Sequence, residues 1–134
     1  MFRVYDVEEK KWIRKNIYLS PNEELFLIKK PWFGLVKRPI ELSQDRYIYH
    51  NDINLYDKDN ALVYEGDFIK AQVEEDKSVI GLVAYARELS SYVILCVDSD
   101  EFYTLGSNVS SEIKVVGNVF DGYKEEKEDG KQAL

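Results

Sequence analysis

The chain has 134 residues, enough for one domain with a real hydrophobic core. A hydrophobic content of 45% excludes disorder along the whole length, and a single cysteine excludes an internal disulfide. The net charge of −7 is unevenly spread: residues 1–46 carry ten Lys/Arg against seven Asp/Glu, or +3, and residues 47–134 carry eight against eighteen, or −10. An acidic surface repels nucleic acid, whereas the mildly basic first part leaves local contacts open. No apolar stretch approaches the roughly 18 residues of a membrane span. Met1–Asp6 lacks the apolar run of a secretion signal. A soluble, cytoplasmic protein with no membrane partner is the expectation, and the lone cysteine fits a reducing compartment.

The first twenty residues read as a hairpin. Phe2, Val4 and Asp6 alternate with Arg3 and Tyr5, and Val7-Glu8-Glu9-Lys10 supplies a polar turn. The return strand places Ile13, Ile17 and Leu19 on one face, interrupted by Lys15. Ser20-Pro21-Asn22-Glu23 has the form of a helix start, with a capping serine, a first-turn proline and a glutamate three positions on. A helix over 21–29 would be short, because Pro31 stops it, and Leu25-Phe26-Leu27-Ile28 suits a buried strand equally. Pro31 and Pro39 bracket an edge strand or an aromatic-packed loop.

From residue 62 the pattern is β. Ile69, Ala71 and Val73 share one face, opposite Lys70, Gln72 and Glu74. After a turn at Glu75–Ser78, Val79–Ala86 is apolar on both faces and contains Gly81, which predicts a central strand that bends or bulges. Tyr92–Val97, Glu101–Leu105 and Glu112–Phe120 follow as strands, with Ile113 and Val115 facing in. Five short strands at regular spacing predict a small barrel or a strongly bent sheet. Residues 122–134 are charged and aperiodic and read as a flexible tail.

Two motifs resemble the YopX family of small phage and prophage proteins. One is Phe2-Arg3-Val4-Tyr5-Asp6 followed by Lys10-Lys11-Trp12-Ile13. The other is Tyr56-Asp57-Lys58-Asp59-Asn60 followed by Val63-Tyr64-Glu65-Gly66-Asp67-Phe68-Ile69. Gly81-Leu82-Val83 and the closing Val115-Val116-Gly117-Asn118-Val119-Phe120 resemble the family's later strands, so the likeness runs to about residue 122. His50-Asn51-Asp52-Ile53-Asn54-Leu55 departs from the Gln-(Tyr/Phe)-Thr-Gly-Leu common in that family. The resemblance implies a mobile-element origin, an SH3-like barrel in the C-terminal part and self-association. It supplies no catalytic residue.

Several constellations invite a chemical reading. Asp57 and Asp59 begin like a calcium loop, but Ala61 and Leu62 stand where an oxygen ligand and a glycine are required. Asp98-Ser99-Asp100 fails in the same way at Phe102 and Tyr103. Cys96, inside an apolar run, reads as core packing, and with one His (His50) no zinc site of Cys and His alone can form within the chain. The corner residues Asp57, Asp59, Glu65, Gly66 and Asp67 read as architecture: turn formers, a glycine free to take positive φ, and carboxylates that bond backbone N–H groups. Binding character resides in Lys29, Lys30, Trp32, Phe33, Lys37 and Arg38, whose cations can track phosphates while the rings stack on bases. The alternative is that the rings pack on the sheet beneath snorkelling lysines. Tyr47, Tyr49 and Tyr56 either face a protein partner or are ordinary strand residues.

The expectation is therefore a mainly β fold, or α+β if residues 21–29 are helical. One compact domain spans residues 1–121: a hairpin and connector over 1–61 and a barrel-like part over 62–121, with the tail beyond. The function expected is that of a non-enzymatic phage or prophage accessory protein without cofactor or metal, acting as a protein-interaction module and a candidate homo-oligomer. Nucleic-acid binding through residues 29–38 is the alternative.

Overall fold

The computed structural model describes residues 1–28, 39–74, 77–105 and 112–124. The fold is mainly β. Among the described residues the one helical element is a 3-10 turn at Arg87–Leu89, and no helix is long and apolar enough to cross a membrane. The chain divides into two compact units, Met1–Asn51 and Asp52–Leu134.

In the first unit, β1 (Phe2–Asp6) pairs antiparallel with β2 (Lys11–Ile13), Val4 opposite Ile13 and Asp6 opposite Lys11. Lys10, at φ +55°, closes the turn. The predicted return strand is split. After Ile13 the chain breaks at Arg14-Lys15-Asn16, where Asn16 takes φ +63°, and Ile17–Leu19 becomes β3 in a separate sheet with β4 (Leu25–Leu27) and β5 (Ile40–Leu42). The helical option for residues 21–29 is not taken by the described residues 21–28. Ser20 Oγ accepts a bond from the Glu24 N–H at 3.0 Å, as a cap would, but Glu23 sits at φ +64° and turns the chain into the β3–β4 hairpin. Leu25 is then fully buried, with Val4 and Leu42, beneath Phe2, Ile17 and Leu19.

A long strand, β6 (Tyr47–Tyr56), serves both units. Residues 47–51 pair with β1, and Asp52 and Tyr56 pair with Tyr64 and Leu62 of β7 (Leu62–Tyr64). Between those two pairs the register shifts. Asn54 adopts φ +59°, and its N–H donates to Asp52 Oδ2 at 2.9 Å.

The second unit is built on a six-stranded antiparallel sheet in the order β11-β10-β9-β8-β12-β13. Its members are β8 (Asp67–Glu74), β9 (Lys77–Ala86), β10 (Ser91–Cys96), β11 (Phe102–Thr104), β12 (Lys114–Asn118) and β13 (Gly122–Tyr123). Ile69, Ala71, Val83, Ile94 and Ile113 close on Val63 as the core. The predicted central strand is β9, but its register runs without a shift through Gly81 on both sides. A Cβ at Gly81 would overlap Ile94 Cγ2, so the glycine admits a core side chain and does not make a bulge. The register shifts of this sheet fall instead on β8, between Gln72 and Glu74, and on β12, between Val115 and Gly117. Gly122 and Tyr123, expected in a flexible tail, form β13 against Asn118 and Gly117. The rest of that tail, from residue 125, lies outside the described residues.

Candidate interaction surface

The corner read as architecture from sequence is held by carboxylates. Asp57, 6% exposed, accepts three backbone N–H bonds: from Asp59 at 2.9 Å and Ala61 at 2.8 Å on Oδ1, and from Val115 at 3.0 Å on Oδ2. Lys58 N–H adds a bond to Ile113 C=O at 2.9 Å, so the turn is tied to the start of β12. Burial works to raise the Asp57 carboxyl, but the bonds from Val115, Ala61 and Asp59, with the nearby Lys114 charge, outweigh it and hold the pKa below its ordinary value. Asp59 itself is exposed. Gly66 takes φ +82° and exchanges backbone bonds with Val83 and Val119, while Asp67 Oδ2 accepts the Tyr64 N–H at 2.8 Å. Glu65 accepts a side-chain bond, from the Tyr92 hydroxyl at 3.1 Å. Burial first, and Glu65 second, push that phenol upward. Asp57, Glu65 and Asp67 thus each accept a bond from backbone or phenol.

The first unit has a comparable lock that the sequence reading did not single out. Arg46 donates two parallel bonds at 2.9 Å, Nε to Oδ1 and Nη2 to Oδ2, to the buried Asp6, whose Oδ1 also accepts the Glu8 and Glu9 N–H groups. The Arg46 bonds hold the Asp6 carboxyl down at about 2 against the opposing effect of burial. The available signal was Asp6 itself, a charged residue on the same alternating face as Phe2 and Val4. His50 stands opposite Arg3 in the β1–β6 register; burial, then the Arg3 charge, lowers its pKa to about 4. The Arg3 guanidinium lies 4.5 Å from the Trp12 ring centroid.

An open cleft of about 230 Å³ lies at one end of the six-stranded sheet, lined by Lys70, Lys77, Ser78, Cys96, Asp98 and Glu101 among others. Lys77 Nζ approaches Glu101 at 3.7 Å and the Tyr103 hydroxyl at 3.2 Å. Two cations face two carboxylates, so the cleft has no excess of either charge for a charged substrate. Cys96 is half-buried there. Among the described residues no group of three His, Cys, Asp or Glu is arranged to hold a metal ion.

The most distinctive surface is the face of the six-stranded sheet opposite the core. Since side chains alternate along a strand, the residues paired with Ile69, Val83 and Ile94 point inward and their neighbours outward. The outward register aligns Phe102 with Leu95, Leu95 with Leu82, Leu82 with Phe68, Phe68 with Gly117, and Gly117 with Tyr123. This apolar row crosses all six strands. The Phe68 and Tyr123 rings meet across Gly117 at 4.8 Å between centroids. Phe102 is 52% exposed, Leu95 44% and Tyr123 39%. On one side of the row lie the buried Val93 and its cross-strand neighbour Ala84. On the other, the Val97 N–H bonds Ile80 C=O, Ile80 pairs with Lys70, and Lys70 pairs with Lys114.

The basic, aromatic segment Lys29, Lys30, Trp32, Phe33, Lys37 and Arg38 lies outside the described residues; the Leu27–Ile40 pair holds its flanks side by side. Tyr47 and Tyr49 pack on the first unit's core, whereas Tyr56 is 59% exposed. Compared with protein families, curated proteins and solved structures, the chain finds no match.

Proposed function

We propose that this protein is a non-enzymatic protein-interaction module that binds through the outward face of its six-stranded sheet. The observation that carries this reading is the apolar row Phe102–Leu95–Leu82–Phe68–Tyr123, half open to solvent on a sheet whose other face is a complete core. An antiparallel sheet with one solvated face alternates apolar and polar residues. Here Val93-Ile94-Leu95 is apolar on both faces of one strand. Aromatic side chains on such a surface are the usual anchors of protein contacts. The carboxylates, by contrast, are engaged in fixing corners, which supports a binding role over hydrolytic chemistry. The resemblance to YopX proteins supports a phage or prophage accessory setting.

The test compares the tagged full chain with its Leu95→Asp variant in the cell that carries the gene. A protein retained by the wild type and lost by Leu95→Asp, with thermal unfolding unchanged, is the expected result. Identical retention by both would remove the reading.

A further inference from the structure

The geometry points to the cleft at the end of the six-stranded sheet as a binding site for a small zwitterion, an apolar α-amino acid. The site stands apart from the apolar row and does not depend on the interaction reading.

The cleft exists because two neighbouring strands end at different heights. β9 starts at Lys77, and β8 accompanies it down to the Glu74–Lys77 pair. β10 stops at Cys96, opposite Gly81, and its last link to β9 is the bond from Val97 N–H to Ile80 C=O at 3.0 Å. The chain then turns through Asp98-Ser99-Asp100 toward β11. Between this turn and the first residues of β9 lies the cleft of about 230 Å³. Successive residues of a strand direct their backbone groups to opposite sides. Ser78 N–H and C=O therefore face the same way as Ile80 C=O, toward the cleft. No described strand meets them there.

The charged side chains of the lining fall into two pairs of different kinds. Lys77 and Glu101 engage each other at 3.7 Å. The Tyr103 hydroxyl accepts from Lys77 Nζ at 3.2 Å and donates to Glu101 Oε2 at 3.3 Å. Lys70 and Asp98 line the same cleft, yet neither makes an ion pair or a side-chain hydrogen bond among the described residues. Opposite charges thus share one cleft without closing on each other. A simple anion on Lys70 would be opposed by Asp98, and a simple cation on Asp98 would be opposed by Lys70. A molecule that carries both charges a few bonds apart satisfies both. Its carboxylate goes to Lys70 and its ammonium to Asp98. The Ser78 N–H and hydroxyl are further donors for the carboxylate, and the Ser78 C=O is a further acceptor for the ammonium. The balanced charge that makes the cleft unsuited to a charged substrate is the balance that a zwitterion requires.

The remaining lining sets size and side chain. Val79, Ile80 and Cys96 supply an apolar wall. At about 30 Å³ per water the cleft holds roughly eight waters, the bulk of one amino acid. It is smaller than the roughly 300–1,000 Å³ of sites for drug-sized ligands. An open cleft and a ligand of few atoms give an affinity on the order of 1–10 mM.

L-leucine titrated into the isotope-labelled full chain, and read at the backbone amide resonances, tests the site. Two analogues each keep one of its charges: 4-methylpentanoate lacks the ammonium and 3-methylbutylamine lacks the carboxylate. L-leucine is expected to shift the Ser78, Ile80, Cys96 and Ser99 amides, with a Kd on the order of 1–10 mM. Each analogue should bind at least about tenfold more weakly. Lys70→Gln and Asp98→Asn, each with an otherwise wild-type spectrum, should weaken L-leucine about tenfold, while Asp98→Asn leaves 4-methylpentanoate no weaker. No shift up to about 50 mM L-leucine overturns the site. Equal affinity for L-leucine and both analogues overturns it too, as do shifts centred on the apolar row or L-leucine binding indifferent to both substitutions.

Discussion

Asp57 shows how one side chain can organise a distant pair of strands. It uses both carboxylate oxygens, three backbone donors converge on it, and one of those, Val115, is 58 positions away. Its conversion to alanine leaves buried N–H groups without their acceptor and should cost about 3 kcal/mol, read as a lower denaturant midpoint, while Asp57→Asn, which keeps one acceptor oxygen, should lose about half as much. The sequence offered the turn chemistry of Asp57-Lys58-Asp59-Asn60 but not the bond to Val115, because a contact across 58 positions leaves no local pattern. Titration belongs at this scale too. His50 has a folded pKa of about 4 against 6.5 when free, so between those values the unfolded chain binds more protons. Stability contributed by neutral His50 is complete above pH 6.5 and is lost as pH falls toward 4. His50→Gln should flatten the fall of melting temperature across that window. Asp6 is shifted in the same direction, from 3.8 to about 2, so its contribution is complete above its ordinary pKa and is lost only as pH falls from there toward 2. The two effects therefore occupy separate pH windows.

At the scale of elements, the strands of the second unit were legible because period-two alternation was clean in β8 and the apolar runs of β9 and β10 were bounded by turn residues. What alternation could not distinguish was a strand covered on both faces by its own chain from one left open on one side. Val79–Ala86 and Tyr92–Val97 look the same in either case. The residues of β6 were harder still: a ten-residue strand with a register shift and a left-handed Asn54 mixes polar and aromatic positions without a period. In the first unit the serine-proline-asparagine-glutamate turn imitates a helix start, and tertiary packing of Leu25 decided for the hairpin. Gly81 was marked by sequence as special, and the structure supplies the reason. Gly81→Ala should cost about 1–3 kcal/mol by forcing Ile94 aside. Because both changes touch one contact, Gly81→Ala with Ile94→Ala should destabilise by less than the sum of the single variants, a coupling that a double-mutant cycle measures.

At the scale of the whole molecule, the charge division noted in the sequence falls close to the division into structural units, with β6 crossing from one to the other near Asn51. The corner residues Asp57 and Asp67 are engaged in holding strands together. The proposed contact surface is the outward face of the six-stranded sheet, whose residues only become a row once the register is known. The central claim is that this row is a protein contact. Its most direct test puts a photo-activated cross-linking amino acid at Leu95 or Phe102, and at the exposed Asp59 of the corner as a control, in cells that carry the gene. The account predicts protein adducts at positions 95 and 102 and none at 59. Equal adducts at all three positions, or none at 95 and 102, would contradict it.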